Sequence, residues 1–254
     1  NKNYRMKHLL FLIVIFVVLF SIPAGTYVIE GNKWPQARTS FPVDIPGADG
    51  LWDDAFEEAM FRWNTTTNFK FNIDRDSFGD PCRDPSVSAA RNGVAFSDSI
   101  CGSAWSDQVI AITIIWILND TNEIIQTGVV FNDDEDWDVY AGPWQKNPYL
   151  GINDFRRVAV HELGHCLGLS HEDAVEAIMQ SRAGDIEYPT ADDIAGVNFL
   201  YPASSDNGNG GGGGGGGAGG GGGGAAWYCS RERDLMPTRA RMASPSRAAP
   251  SNGR

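Results

Sequence analysis

The chain has 254 residues, of which 42% are apolar, and a formal net charge of −12. That is enough for one domain with a sizeable core, the two ends being extras. Between Gly25 and Ser205 stand 11 Lys and Arg against 29 Asp and Glu, a net of −18. Such a surface excludes nucleic acid and anionic membranes as natural partners, and a soluble secreted exterior accounts for it.

Residues 1–24 read as a signal peptide. Lys2, Arg5 and Lys7 precede the apolar run Leu9–Phe20, and Ser21-Ile22-Pro23-Ala24-Gly25 follows. The run is short for a membrane span and right for a secretory h-region. Cleavage is expected near Ala24, although no clean A-x-A site is present; an uncleaved signal anchor is the alternative, and Met6 is a candidate start. Export predicts a secreted, extracellular or periplasmic domain. In an oxidising compartment Cys82 and Cys101, which share one loop-rich stretch, are expected to form a disulfide.

The domain itself covers 25–205. Phe41-Pro42-Val43-Asp44-Ile45 predicts a short first strand. Leu51–Asn64 carries Leu51, Ala55, Phe56, Ala59, Met60 and Trp63 at helical spacing, with Asp53, Asp54, Glu57 and Glu58 outward. Asn64-Thr65-Thr66 fits a glycosylation sequon, and Phe69–Ile73 alternates as the second strand. Residues 74–108 are polar and punctuated by Gly and Pro, a long loop with one short strand at Gly93–Phe96. Val109–Leu118 is a continuous β-branched apolar run, hence a buried strand, and after the Asn119–Asn122 turn Ile124–Asn132 is the next.

Asp133, Asp134, Glu135, Asp136 and Asp138 then crowd one turn. Clustered oxygen ligands of this kind suit Ca²⁺; a solvated acidic loop is the other reading.

Asn153 or Asp154 caps a helix that runs into His161-Glu162-Leu163-Gly164-His165-Cys166-Leu167-Gly168-Leu169-Ser170-His171. His161 and His165 lie four apart, so both imidazoles leave one helix face and can grip one ion. Gly168 lets the backbone break away, and His171 returns from the loop. Three neutral imidazoles leave a fourth position open on Zn²⁺, the layout of a catalytic site. Glu162, one residue round from the first ligand, stands where a general base belongs. Apart from His8 the chain has no other histidine, and Cys166 reads as a small buried hydrophobe. Thr190-Ala191-Asp192-Asp193 opens a last helix, with Thr190 as cap and Ile194, Val197, Leu200 and Tyr201 burying, and Pro202 stops it.

Residues 206–226 form a glycine-rich linker, and 227–254 are read as a disordered basic tail with too little apolar content for a core. The tail is an appendage, a fragment of a missing module or a reading-frame accident; Cys229 within it stays unassigned.

From about residue 40 to residue 202, and most strongly from Ile110, the chain resembles the matrixin family, the matrix metalloproteinase type of metzincin endopeptidase. The likeness rests on the extended histidine motif, Gly164, Leu167-Gly168-Leu169, the Ala177-Ile178-Met179 turn, and Asp192-Asp193-Ile194-Ala195-Gly196-Val197 with Leu200-Tyr201-Pro202. Astacins continue differently after the third histidine, and His171-Glu172-Asp173 does not follow them. The resemblance implies an α+β fold, a twisted mixed sheet with a backing helix, an active-site helix and a C-terminal helix. It puts the strand at Ile124–Asn132 on the upper edge of the sheet, holding an extended substrate by strand addition. It makes Met179 a hydrophobic base beneath the three histidines, and Gln180–Thr190 the specificity loop with Tyr188-Pro189 as a wall. It also favours calcium at the acidic turn. The histidines of the family's second, structural zinc have no counterpart, so one zinc is expected. Residues 25–40 hold no cysteine, so no zymogen step beyond signal cleavage is expected, and Cys229 is not expected to act as a switch. The implied protein is a secreted, monomeric zinc endopeptidase acting on extended peptide or protein substrates. The alternative is a catalytically silent binding protein of the same fold, against which the intact Glu162 speaks.

Overall fold

The computed structural model describes residues 25–75, 77–144, 151–203 and 226–229. The expected signal segment, most of the glycine-rich linker and most of the tail therefore lie outside the described residues.

β1 (Arg38–Pro42) pairs in parallel with β2 (Lys70–Asp74), and α1 (Leu51–Thr66) connects them. α1 buries Ala55, Phe56, Ala59, Met60 and Trp63, the face its apolar spacing marks out. β3 (Gly93–Ser97), β4 (Ala111–Leu118) and β5 (Glu123–Asn132) build a mixed sheet in which β5 runs parallel to β3 and antiparallel to β4. Two short strands, β6 (Trp137–Asp138) and β7 (Asn153–Asp154), pair just ahead of α2 (Phe155–Cys166). α3 (Ala191–Leu200) closes the domain.

The structure differs from expectation at the edge of the sheet. Ile124–Asn132 is not the outer strand: β5 lies between β3 and β4, and β4 is outside it. Register explains this. β5 is claimed on one side by the parallel partners Val94↔Val129 and Phe96↔Phe131 and on the other by the hairpin return through Ile114↔Gly128. β5 is accordingly buried along nearly its whole length, as a strand paired on both edges should be. A second difference is β8 (Ala226–Cys229), a tail segment that joins the sheet outside β4.

α2 and the core hold each other in place. Phe155, wholly buried, meets the rings of Trp52, Phe96, Phe131 and Trp137, which join α1, β3, β5 and β6 to the start of the helix. Farther along, Trp63 of α1 donates its indole N–H to Val160 O at 2.9 Å. Gly164 lets the two helices and the 177–179 turn close up: a Cβ there would lie 2.2 Å from Met179 Sδ and 3.2 Å from Trp63. The Cys82–Cys101 disulfide ties the loop before β3 to the loop after it, with S–S 2.05 Å and Cα–Cα 5.3 Å. Asn64, the sequon residue, is committed at the end of α1: its amide donates to Phe71 O and accepts from Phe71 N.

Candidate metal centre

α2 turns His161 and His165 to one side, four residues apart as spacing requires. The chain leaves the helix at Gly168, which adopts φ +94°, a conformation that favours glycine, and a Cβ there would meet Asn32 O at 2.4 Å. Glu30 N and Ser170 N bond Gly168 O and Val28 O, so the N-terminal segment braces the turn that returns His171.

The three Nε2 atoms converge, His161 to His165 at 3.1 Å and each of them to His171 at 3.2 Å. The opposite nitrogens are used: His161 Nδ1 lies 2.7 Å from Ile178 O and His165 Nδ1 2.9 Å from Leu169 O. A carbonyl only accepts, so these Nδ1 atoms carry the protons and both Nε2 lone pairs face inward. Lone pairs aimed at one point repel unless a cation lies between them. Three nitrogens at about 2.0–2.1 Å from one tetrahedral zinc stand about 3.3–3.4 Å apart, close to the spacing found. Burial, reinforced by the neighbouring ring of His171, lowers His161 to about 4. Burial likewise holds His165 well below the ordinary imidazole range, and His171 below it. All three are therefore neutral at physiological pH, the form that ligates metal. The donor set and its geometry fit a zinc ion. Among the described residues this is the one group of three or more such ligands within reach of one ion.

Glu162 is buried, 5% exposed, and the Thr113 hydroxyl of β4 lies 2.7 Å from its Oε2 and 3.0 Å from its backbone carbonyl. Sequence reading passed over Thr113, although it is the single polar side chain in the run Val109–Leu118. Asp193 is another residue whose role was missed. It is 1% exposed, and its carboxylate accepts from Ile178 N at 2.9 Å, Met179 N at 3.3 Å and both the N–H and hydroxyl of Thr190 at 2.7 Å. α3 thus fixes the turn whose Ile178 carbonyl orients His161 and whose Met179 packs under α2. The motif's neighbour Cys166 is wholly buried, and burial pushes its thiol up to about 12.

The 180–190 segment is anchored from behind by arginines that spacing did not mark. Arg157, 2% exposed, reaches Gly184 O at 2.6 Å and Gly142 O at 2.7 Å, and pairs with Asp154 at 3.3 Å and Glu187 at 3.4 Å. Arg62 donates to Glu187 O and lies under the exposed Tyr188 ring, 3.9 Å from its centroid. The acidic turn behaves differently. Asp133, Asp134 and Asp136 are exposed, and Glu135 bonds Asn153 Nδ2 at 3.1 Å. Their carboxylates do not gather with a third ligand within reach of one ion.

Residues 114–202 match the family profile of Peptidase M10, Matrixin. The chain carries a matrixin domain. It is 38% identical over 178 residues to Metalloendoproteinase 5-MMP of Arabidopsis thaliana, covering 66% of this chain and 45% of that protein. Macrophage metalloelastase of Oryctolagus cuniculus is 44% identical over 75 residues, 28% of this chain and 14% of that protein. Stromelysin-1 of Equus caballus is 40% identical over 84 residues, 30% of this chain and 16% of that protein. The chain thus spans less than half the length of these curated relatives. The family match begins on β4 and ends just past α3, so it takes in the three histidines, Glu162 and Met179 and starts one residue after Thr113. In this matrixin domain the three histidines, Glu162 and the Met179 turn lie together, whereas the acidic turn stays apart.

Proposed function

We propose that the matrixin domain is a zinc-dependent endopeptidase with His161, His165 and His171 as ligands and Glu162 as general base. The observation that carries the reading is the convergence of three inward Nε2 lone pairs within 3.1–3.2 Å beside a buried glutamate. A zinc ion held there would acidify water and polarise a carbonyl oxygen. The rest falls to this chain's residues. Glu162 takes the proton of the attacking water and hands it to the leaving amine. The Thr113 hydroxyl of β4 holds one oxygen of that carboxylate in place. The outer edge of β4, next to Thr113, offers backbone groups along which an extended peptide can add as a further strand. The 180–190 segment, pinned by Arg157 and Arg62, lines the adjoining pocket.

The substrates are extended stretches of protein, and the domain acts outside the cytoplasm as a monomer. The Cys82–Cys101 bridge supports an oxidising compartment. Among the described residues no helix is long and apolar enough to cross a membrane. The net acidic surface speaks against nucleic acid as a partner.

Zinc-loaded protein should digest casein or gelatin and lose the activity to a chelator. Glu162→Ala should lower kcat by about 10²–10⁴-fold while the zinc content stays at one per chain. A zinc-loaded wild-type chain that binds peptide without cleaving it would establish the silent binding protein instead.

A further inference from the structure

β4 shares its inner edge with β5, and a strand left there would expose a row of unpaired backbone groups on its other side. That side is not bare. Ala226–Cys229 runs antiparallel along it, with Ile114 opposite Cys229, Ile115 opposite Tyr228, Trp116 opposite Trp227 and Ile117 opposite Ala226. Ile114 adjoins Thr113, whose hydroxyl lies 2.7 Å from Glu162 Oε2. The Cys229 end of β8 therefore lies at the Glu162 end of β4.

We infer that the tail segment Ala226–Cys229 is an intramolecular occupant of the substrate edge, so that an incoming extended peptide must displace it. This rests on the endopeptidase reading above. Strand addition is made by backbone hydrogen bonds, so the tail need not resemble a substrate in sequence to compete with one. Its Trp227 and Tyr228 belong to the residue types that favour extended pairing. Four paired residues make a weak ligand alone, but the segment is joined to α3 through residues 204–225. Covalent joining of that kind gives an effective concentration on the order of millimolar, against which a dilute substrate competes poorly. The device is competitive. It raises KM and leaves kcat alone, and no cleavage is needed to relieve it.

The test compares three zinc-loaded proteins: the chain as it stands, the chain ended at Ser205, and the full-length chain with Trp227→Pro and Tyr228→Pro. Proline has no N–H, and neighbouring residues of a strand turn alternate N–H groups toward the partner, so the double change removes whichever one β4 uses. Both altered proteins should show KM lowered about threefold or more on a quenched peptide, with kcat within about twofold of the parent. Amide exchange supplies a readout independent of activity. The peptide covering Ile114–Ile117 should exchange faster in both altered proteins, with zinc content unchanged. Equal KM and equal exchange with and without the tail would overturn the tail's role while leaving the endopeptidase intact. Protection of Ile114–Ile117 that grows with protein concentration would assign the strand to a second copy and overturn the intramolecular form. A shortened chain that holds zinc and cleaves nothing would overturn the endopeptidase reading, and the competition with it.

Discussion

The histidine motif and the acidic turn are both short runs of metal-ligand residues, and the fold treats them in opposite ways. His161, His165 and His171 come within 3.2 Å of one another, and the two on α2 each have the second ring nitrogen held by a backbone carbonyl. The carboxylates of Asp133–Asp136 sit on a turn and that of Asp138 on β6; they are largely exposed, and no three of them gather within reach of one ion. The difference lies in what stands behind the ligands. A helix fixes the direction of residues four apart, a glycine with positive φ returns the third, and carbonyls set the tautomers. Consecutive residues on an exposed turn point apart, and water screens them at no cost in structure. In the histidine cluster a second layer of backbone carbonyls aims two of the three ligands.

The contrast can be broken most forcefully at its strong end. His165→Asn should leave a folded domain whose zinc affinity falls by more than about 100-fold, beyond the loss expected from an outer partner alone; metal titration reads this directly. Removing the support behind the ligands comes next. Asp193→Ala leaves the buried N–H groups of Ile178 and Met179 without their acceptor, and should cost about 2–5 kcal/mol in urea unfolding. If stability is unchanged, α3 does not hold the turn.

Acid sharpens the comparison on metal-free protein. The folded histidines have lowered pKa values, His161 about 4 against an ordinary 6.5, so the unfolded chain takes up protons that the folded site refuses. Their contribution is intact above pH 6.5 and is lost as pH falls toward 4, at up to about 1.4 kcal/mol per pH unit for each histidine. Melting curves of chelated protein at pH 7 and pH 5 measure it, and His161→Asn should flatten the slope. The smallest effect belongs to the weak end. Neutralising the acidic turn with Asp133→Asn, Asp134→Asn and Asp136→Asn should move stability by no more than about 0.5 kcal/mol, with or without millimolar calcium. A calcium-dependent rise in melting temperature of the parent, lost in this variant, would make the turn a binding site after all.

What could be read without the fold was local. The spacing of His161 and His165, the break at Gly168, the apolar face of α1 and the β-branched run that became β4 are short-range patterns, and each is written in residues a few positions apart. The likeness to matrixins was legible in the same stretch, and the family match covers 114–202. Cys82 and Cys101 are separated by 19 positions, and the compartment argument was enough to pair them.

The remainder needed contacts between distant parts of the chain. Thr113 meets Glu162 across 49 positions, and Trp63 meets Val160 across 97. Nothing in the neighbourhood of either partner announces the other. The order of strands was also beyond local pattern, because β4 and β5 are both apolar runs and either could stand outside. Only the parallel pairing of β5 with β3 decides it, and with it that β4 rather than β5 is the strand β8 meets. The sequence by itself determined that three imidazoles and a glutamate would be gathered on one helix and its turn, because helical geometry carries that information over a few residues. Only the tertiary structure decided what holds them, a threonine on β4 and an aspartate on α3, and that β8 lies along β4. Such contacts depend on packing and pairing between segments far apart in the chain, which no periodicity records.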